Sequence, residues 1–293
     1  MKRKSNLYQT IIDLKKIEKM YDKRIKKNTR NKKKLEQFEL YYVSNMVKIK
    51  KKIESKNYIS KPYHIFFIKE PKLRLIMSQE IEDKVINHLV SDYFLVKIFE
   101  PTLINENIAT RKNKGTSYGI KLLKQYLNQL KDKEFYILKF DIKKYFYHLD
   151  YDILKQLVRR KIKDYEVLEI IDTIIDSTDE PYVNETINQL KQHELKRIKQ
   201  QNNKRIDKRI EEIINIPLYQ KGKGLPIGNM TSQILAILYL NELDYYIKEQ
   251  LKIKYYIRYM DDGILLHESK DYLKYCLKEI ETIIIEISIR IKS

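Results

Sequence analysis

Tryptophan is absent from this chain of 293 residues, cysteine occurs once, and glycine occurs only six times. A single cysteine excludes an internal disulfide and a cysteine-based metal site, and such sparing use is typical of a reducing compartment. We therefore expect Cys276 to be a small apolar filler. Because an average protein has about 7% glycine, we expect the few glycines here to mark backbone that needs a positive φ or lies close to a ligand.

Long apolar runs are also lacking. No segment approaches the ~20 apolar residues that a membrane-spanning helix needs. The N-terminal stretch MKRKSNLYQT has no apolar segment after its positive charges, so it does not resemble a secretion signal. We expect no membrane anchor and a cytoplasmic protein.

Acidic residues are fewer than basic ones. Lysine and arginine together number 59 against 40 aspartates and glutamates, which leaves a formal net charge of +19. Such an excess attracts polyanions, of which nucleic acid is the first candidate and a membrane surface the second. Lys, Ile, Asn and Tyr are abundant throughout, as an AT-rich genome produces, so the charge alone does not identify a partner.

Hydrophobic periodicity in the first half of the chain predicts helices interrupted by strands. Residues 1–60 carry two apolar stripes at helical spacing, and the basic connector between them, at 26–34, either contacts phosphate or is a solvated loop. HIFFIKEPKLRLIMS predicts two strands joined by a tight turn. The following segment predicts a helix that buries Ile81, Val85, Leu89 and Val96. Residues 135–140 are apolar enough to predict a strand buried on both faces.

The second half of the chain continues this α+β pattern. Residues 151–175 return to helical spacing, and the highly charged stretch 187–214 predicts a protruding helix or helical hairpin within an insertion at about 176–215. The segment KGKGLPIGN predicts a glycine-rich loop that leads into an apolar helix, with Asn229 or Thr231 as its N-cap. YYIRYMDDGILLH predicts a β-hairpin whose tip carries two adjacent aspartates.

Asp141, at the end of the predicted strand, and Asp261 and Asp262, at the hairpin tip, are candidate metal ligands. Neighbouring carboxylates repel each other and raise each other's pKa unless a cation lies between them. Mg²⁺ prefers oxygen ligands, and two such ions ~3.5 to 4 Å apart can hold the attacking and leaving oxygens of a phosphoryl displacement. An Asp-Asp turn by itself is more often explained by the preference of aspartate for turns. The neighbouring segments therefore decide whether these aspartates are interpreted as metal ligands or as ordinary turn residues.

Three motifs resemble those of reverse transcriptases, in the same order and at a similar spacing. FDIKKYF resembles motif A, GLPIGNMTSQ resembles motif B, and YMDD resembles motif C. The upstream segment IKEPKLRLIMSQEIEDKVINHLV is similar to the fingers of group II intron and related bacterial enzymes. The resemblance covers roughly residues 60 to 270. It implies a right-hand polymerase fold, with a basic helical extension at 1–60 and a core of fingers and palm at 61–293.

The resemblance also implies an activity and a site. The activity is RNA-directed DNA synthesis, in which deoxynucleoside triphosphates extend a DNA or RNA primer on an RNA template with two Mg²⁺ ions, which Mn²⁺ can replace. Asp141 and Asp261 would bind both metals, Asp262 would be a weaker ligand, and the carbonyl of Ile142 a further one. Phe146 falls at the aromatic steric gate that excludes a ribose 2′-hydroxyl. The other implied residues are Lys72, Arg74, Arg111, Gly224, Pro226, Ile227 and Gly228 for the nucleotide, and Asn229, Thr231, Ser232, Gln233, Tyr259 and Met260 for template and primer.

Two departures from the family pattern leave alternatives open. Ile227 stands where many reverse transcriptases carry glutamine, and LPIGN most resembles the motif of diversity-generating retroelement enzymes, which copy adenines inaccurately, so we expect low fidelity. The segment after Gly263 has no recognisable motif D, primer grip or thumb, so we expect the thumb to be absent or to come from a separate or accessory protein. The alternatives are an RNA-directed RNA polymerase and a non-catalytic RNA-binding remnant.

Overall fold

A computed structural model describes residues 3–199 and 206–289 and shows a mixed α and β fold. Helices predominate, and the strands form two small antiparallel sheets. Among the residues described, no helix is both long and apolar enough to cross a membrane.

The predicted N-terminal helices are confirmed. They bury both apolar stripes in the main core, with Ile17 and Tyr21 from the first stripe and Met46 and Ile53 from the second. Asn31 is the N-cap of the third helix, since its side chain accepts the Lys34 amide hydrogen. The elements are α1 (Tyr8–Ile11), α2 (Leu14–Met20), which continues as a π-helical turn (Tyr21–Lys26), α3 (Lys32–Leu40) and α4 (Tyr42–Glu54).

The predicted strand pair around Glu70-Pro71 is also confirmed. Strand β1 (His64–Ile68) pairs antiparallel with β2 (Arg74–Ser78), and Ile68 lies opposite Arg74. The predicted helix follows and packs in the main core. It comprises α5 (Ile81–Val90), a π-helical turn (Ser91–Leu95), α6 (Val96–Phe99) and a 3₁₀ turn (Glu100–Thr102).

The second sheet has three strands in the order β3-β5-β4. Alternation of side chains along the strands gives it two covered faces. One face, with Ile257 and Leu266, packs on the helix that precedes β3. The other, with Tyr256 and Leu265, belongs to the main core. The elements are α7 (Thr116–Leu130), β3 (Tyr136–Phe140), β4 (Tyr255–Tyr259), β5 (Asp262–His267) and α15 (Lys270–Ile289), which contacts β3 and β5.

The prediction that the 135–140 strand is buried on both faces is wrong. The sheet order puts β3 at an edge, where Ile137 is 55% exposed and Lys139 is exposed as well. Apolar composition alone could not reveal this, because the position of a strand within a sheet depends on the partners that it finds.

The remaining helices fill the space between the two sheets and beyond. The apolar helix α13 is buried along its whole length and packs in the main core. These helices are α8 (Tyr145–His148), α9 (Tyr151–Arg159), α10 (Tyr165–Ile175) with a 3₁₀ turn (Asp176–Thr178), α13 (Met230–Tyr239), and α14 (Asn241–Tyr245) with a π-helical turn (Tyr246–Gln250).

The charged insertion forms two helices, as predicted, α11 (Pro181–Lys199) and α12 (Ile206–Ile214). Residues 200–205 of the predicted insertion lie outside the described chain. The first part of α11 does not protrude into solvent as its charge suggested. Val183 and Ile187 are buried there against Ile65 and Met77 of the β1–β2 hairpin. The insertion therefore supports the back of that hairpin.

Candidate active site

The hairpin between β4 and β5 presents Asp261 in a two-residue loop. Tyr259 pairs with Asp262, so only Met260 and Asp261 connect the strands. Met260 has φ +56°, and a positive φ at the first loop position is characteristic of tight hairpins because it suits the twist of the paired strands. Asp261 is therefore placed by a short, constrained turn at one end of the sheet.

Asp141 meets Asp261 at the same end of the sheet. Phe140, the last residue of β3, pairs with Gly263 of β5, so the residue after β3 lies beside the start of β5. Burial raises the pKa of the Asp261 carboxyl, and the neighbouring negative charges of Asp141 and Asp262 raise it further. The Asp141 carboxylate is thus close enough to disfavour ionisation of Asp261.

Asp262 differs from this pair. Its carboxylate lies 3.6 Å from the Nζ atom of Lys139, and both side chains are substantially exposed. Within 3–199 and 206–289, no group of three or more histidine, cysteine, aspartate or glutamate side chains is arranged to hold a metal ion. The structure brings together two of the three predicted carboxylates, and an oxygen-ligated cation placed between Asp141 and Asp261 would remove their repulsion.

Gly263 makes room for the ring of Phe140, its pairing partner in β3. A Cβ atom at this position would lie 2.2 Å from two atoms of that ring. A side chain at residue 263 would therefore displace the Phe140 ring, next to Asp141.

A buried ion pair behind the hairpin tip was not foreseen from the sequence. The side chains of Arg258 and Asp244 are both fully buried, and the Nε and Nη2 atoms of Arg258 each donate to Asp244 at 2.6 Å. The remaining nitrogen, Nη1, donates to the carbonyl of Met260 at 2.6 Å. Tyr256 and Asn107 also donate to Asp244. The guanidinium therefore ties the turn that carries Asp261 to α14.

A sequence signal for this pair existed. Arg258 is the one charged residue of the otherwise aromatic and apolar strand YYIRY, and an arginine that is buried in such a strand needs an acidic partner. The identity of that partner, Asp244, could not be deduced, because the contact is formed between a helix and a strand.

The glycine-rich loop before α13 joins the β1–β2 hairpin to the segment that follows Asp141. The amide of Leu225 donates to the carbonyl of Phe146 at 2.8 Å, and the amide of Met77 in β2 donates to the carbonyl of Ile227 at 2.9 Å. Gly228 has φ +134°, and a Cβ there would lie 2.9 Å from the Met77 carbonyl oxygen. The loop is thus fixed between the two predicted nucleotide-binding segments.

The predicted steric-gate residue lies in this same junction. Phe146 belongs to α8, is half-buried against the main core, and has its ring 5.9 Å from that of Tyr145. Ile142 is likewise half-buried against the core. Pro226 is buried and Ile227 is half-buried, while a Cβ on Gly224 would lie 2.5 Å from the Tyr219 ring.

The predicted basic residues fall into two groups. Lys72, in the turn between β1 and β2, and Arg74, at the start of β2, are exposed and form no ion pair within the described part of the chain. Arg111 is different, because its guanidinium donates to Glu100 and to the carbonyls of Ile104 and Asn107. Its side chain is only 9% exposed. The nucleotide contact predicted for Arg111 is therefore corrected to a structural role in the 100–107 loop.

Three of the predicted template and primer contacts also need correction. Asn229, Thr231 and Ser232 are buried, and the side chains of Asn229 and Thr231 are already engaged by Tyr63 and Asn87. Asn229 does occupy the N-cap position of α13, but its amide donates to the Tyr63 hydroxyl at 2.8 Å and makes no cap. Two further predicted contacts, Tyr259 and Met260, lie at the hairpin tip, with Tyr259 exposed, and Gln233 is half-buried.

Comparison with protein-family models and with curated protein sequences finds no match for this chain.

Proposed function

We propose that this chain is an RNA-directed DNA polymerase, a nucleotidyltransferase that adds deoxynucleotides to a primer 3′-hydroxyl on an RNA template. In this proposal the three-stranded sheet is the palm of a right-hand polymerase and the β1–β2 hairpin belongs to the fingers. The observation that carries the proposal is the meeting of Asp141 and Asp261, which are distant in sequence, at one end of a sheet. Their motif context, FDIKKYF and YMDD, supplies the second support.

The two carboxylates suit divalent cations chemically. Mg²⁺ or Mn²⁺, when bound, supplies the positive charge that stabilises a pentavalent phosphoryl transition state. Asp141 and Asp261 would hold the cations through carboxylate oxygens, with the Ile142 carbonyl as a further ligand. Asp262 is expected to contribute charge from the side, since it is engaged with Lys139.

The surrounding residues would select and orient the nucleotide. Lys72 and Arg74 carry free positive charge next to the fingers turn, which suits a triphosphate. Phe146 would oppose a 2′-hydroxyl, and the Gly224–Gly228 loop, held between Phe146 and β2, would let the backbone lie against the incoming nucleotide. A primer and template lie across the sheet in this proposal, and a separate thumb or accessory protein would tighten their binding.

Primer extension on an RNA template tests this function. We expect Asp261→Asn to lower extension by about 10²-fold or more, the loss typical of removing one electrostatic stabiliser of a transition state. Asp271→Asn is the matched control, because Asp271 is exposed on α15, where its carboxylate pairs with Lys274. Equal extension by all three proteins would refute the proposal.

Nucleotide choice separates the proposal from its rivals. The wild-type protein should incorporate deoxynucleotides and reject ribonucleotides, and Phe146→Ala should admit ribonucleotides. Ribonucleotide incorporation by the wild-type protein would instead identify an RNA polymerase. No extension with Mg²⁺ or Mn²⁺, together with strongly salt-dependent RNA binding, would identify a non-catalytic RNA-binding protein.

A further inference from the structure

A groove of about 500 Å³ lies between the N-terminal helices and the β1–β2 hairpin, apart from the Asp141–Asp261 pair. Its walls are the segment after α2, one face of the hairpin and α5, and its floor is the start of α13. Its polar, charged and aromatic lining includes Arg24, Arg30, Lys34, His64, Phe66, Gln79, Lys84, Asn87, His88 and Asn229. No acidic side chain of the described residues lines it.

Asn87 supplies the first sign of a ligand. Its side chain is 2% exposed, and its Oδ1 atom accepts hydrogen bonds from the backbone amide and the hydroxyl of Thr231, at 3.3 and 2.5 Å. These two donors determine which way the amide group faces. The Nδ2 atom then has no hydrogen-bond partner among the described residues, and the Nδ1 atom of the neighbouring His88 has none there either. Buried polar groups left unpaired reduce stability unless a ligand meets them.

The charges at the groove are unbalanced. Arg24 is neutralised by Asp92, and Lys34 by Glu80 at 2.8 Å. Lys84 and Arg30 form no ion pair with any residue that the structure describes. Lys84 is half-buried, and its burial and the nearby charge of Lys34 lower its pKa against the opposing charge of Glu80. A bound anion would attract the Lys84 ammonium and offset the repulsion from Lys34.

Aromatic rings complete the lining. His64 and Phe66 project from the same face of β1 with ring centroids 5.4 Å apart and an interplanar angle of 32°. Phe66 is half-buried and His64 exposed, so one side of the ring pair faces the groove. Aromatic platforms of this kind stack nucleobases without regard to sequence, while side-chain amides can hydrogen-bond base edges.

We propose that this groove is a second nucleotide-binding site, with phosphate on Lys84 and Arg30 and a base between Phe66 and the Asn87 amide. The same chemistry is offered by a free nucleotide and by one unit of a single strand. A second groove of about 590 Å³ shares Asn31, Lys34 and Ile81 with the first. It is lined by Lys33 and by the Lys34–Glu80 and Lys61–Glu82 ion pairs, so a strand that continued along it would meet both signs of charge, whereas a free nucleotide would occupy the first groove alone. The site does not depend on polymerase activity.

Equilibrium binding without primer or triphosphate tests the site. The probes are adenosine monophosphate and a labelled single-stranded oligoribonucleotide. We expect Asn87→Asp, which keeps the acceptor for Thr231 but removes the free donor, and Lys84→Ala each to weaken binding by about tenfold, the factor equivalent to one charged hydrogen bond. Lys48→Ala is the matched control, since Lys48 is exposed on α4 and lines neither groove.

The outcomes separate the two ligand sources. If the groove variants bind both probes more weakly, the site accepts a free nucleotide. If they bind only the oligoribonucleotide more weakly, the site accepts a strand. Weakening no greater than that of Lys48→Ala, or no binding of either probe to wild type, overturns the proposal. If a groove variant fails to fold, Arg30→Ala replaces it in the test. Arg30 is an exposed loop residue, so its removal should weaken binding without unfolding the protein. The binding assay contains no primer and no triphosphate, so its result is independent of the primer-extension result that tests the polymerase proposal.

Discussion

The guanidinium of Arg258 and the carboxylate of Asp244 form an ion pair from which solvent is fully excluded, directly behind the turn that carries Asp261. Taking two charges out of water is costly, and the cost is offset here by a dense set of hydrogen bonds. Asp244 accepts from Tyr256 and Asn107 in addition to Arg258. The pair therefore links the sheet, α14 and the 103–108 segment at the point where the candidate site is formed.

Removing one partner of this pair should destabilise the protein strongly. We expect Arg258→Met to lower the free energy of unfolding by about 3 to 5 kcal/mol, because Asp244 is left charged and buried. Chemical denaturation measures the change. Lys133→Ala, which breaks the exposed pair with Glu268, should leave the unfolding midpoint unchanged. The double variant Arg258→Met with Asp244→Leu should cost less than the sum of its single changes, and additive costs would contradict the buried pairing.

The stability of the fold should fall in mild acid because of His88. Burial lowers the pKa of His88 to about 4 from its ordinary value of 6.5, so the unfolded chain takes up a proton at a higher pH than the folded one. Stability is then fully present above about pH 6.5 and is lost as pH falls through about 4, by at most about 3 kcal/mol. Denaturation of wild type and His88→Gln across this range measures it. Identical pH slopes for the two proteins would remove His88 as the cause.

Ser232 should be replaceable by alanine without loss of stability. Its hydroxyl is buried and has no hydrogen-bond partner within residues 3–199 and 206–289, so Ser232→Ala removes an unsatisfied polar group and should stabilise the protein by up to about 1 kcal/mol. Ser269→Ala is the comparison, because the Ser269 hydroxyl accepts from the amide of Tyr272 at the start of α15. That change should cost about 1 kcal/mol. A destabilised Ser232→Ala, measured by thermal unfolding, would show that the hydroxyl is used.

Gly228 should tolerate no side chain, whereas Gly222 should tolerate one better. Both have positive φ, but a Cβ on Gly228 would meet the Met77 carbonyl at 2.9 Å and a Cβ on Gly222 meets nothing within 4 Å. Gly222→Ala should cost about 1 kcal/mol from backbone strain alone. We expect Gly228→Ala to cost more and to impair primer extension, because β2 must move. Similar unfolding free energies for the two variants would contradict the close approach.

Fidelity should depend on residue 227. Ile227 has no group that can hydrogen-bond a nucleotide through its side chain, and its carbonyl is already used by Met77. If the chain copies RNA, Ile227→Gln should lower misincorporation opposite template adenines, as judged by sequencing the complementary DNA. Ile227→Val keeps an apolar side chain and should leave the error spectrum unchanged. An unaltered adenine error rate in Ile227→Gln would remove this residue as a determinant.

The local structure of the chain could be predicted from short sequence patterns. Helical spacing in residues 1–60, alternation around Glu70-Pro71 and the turn at Met260-Asp261 predicted elements that the structure has, because each depends on residues close together in the chain. The candidate carboxylates could be named for the same reason, since their motifs are short and ordered.

The exposure of side chains and the contacts between distant groups became apparent from the folded structure alone. It put β3 at a sheet edge, buried Thr231 and Ser232 at the start of α13, and engaged Arg111 in its own loop. It also paired Arg258 with Asp244. Burial and ion pairing depend on contacts between segments far apart in the chain, and neither periodicity nor motif spacing carries that information.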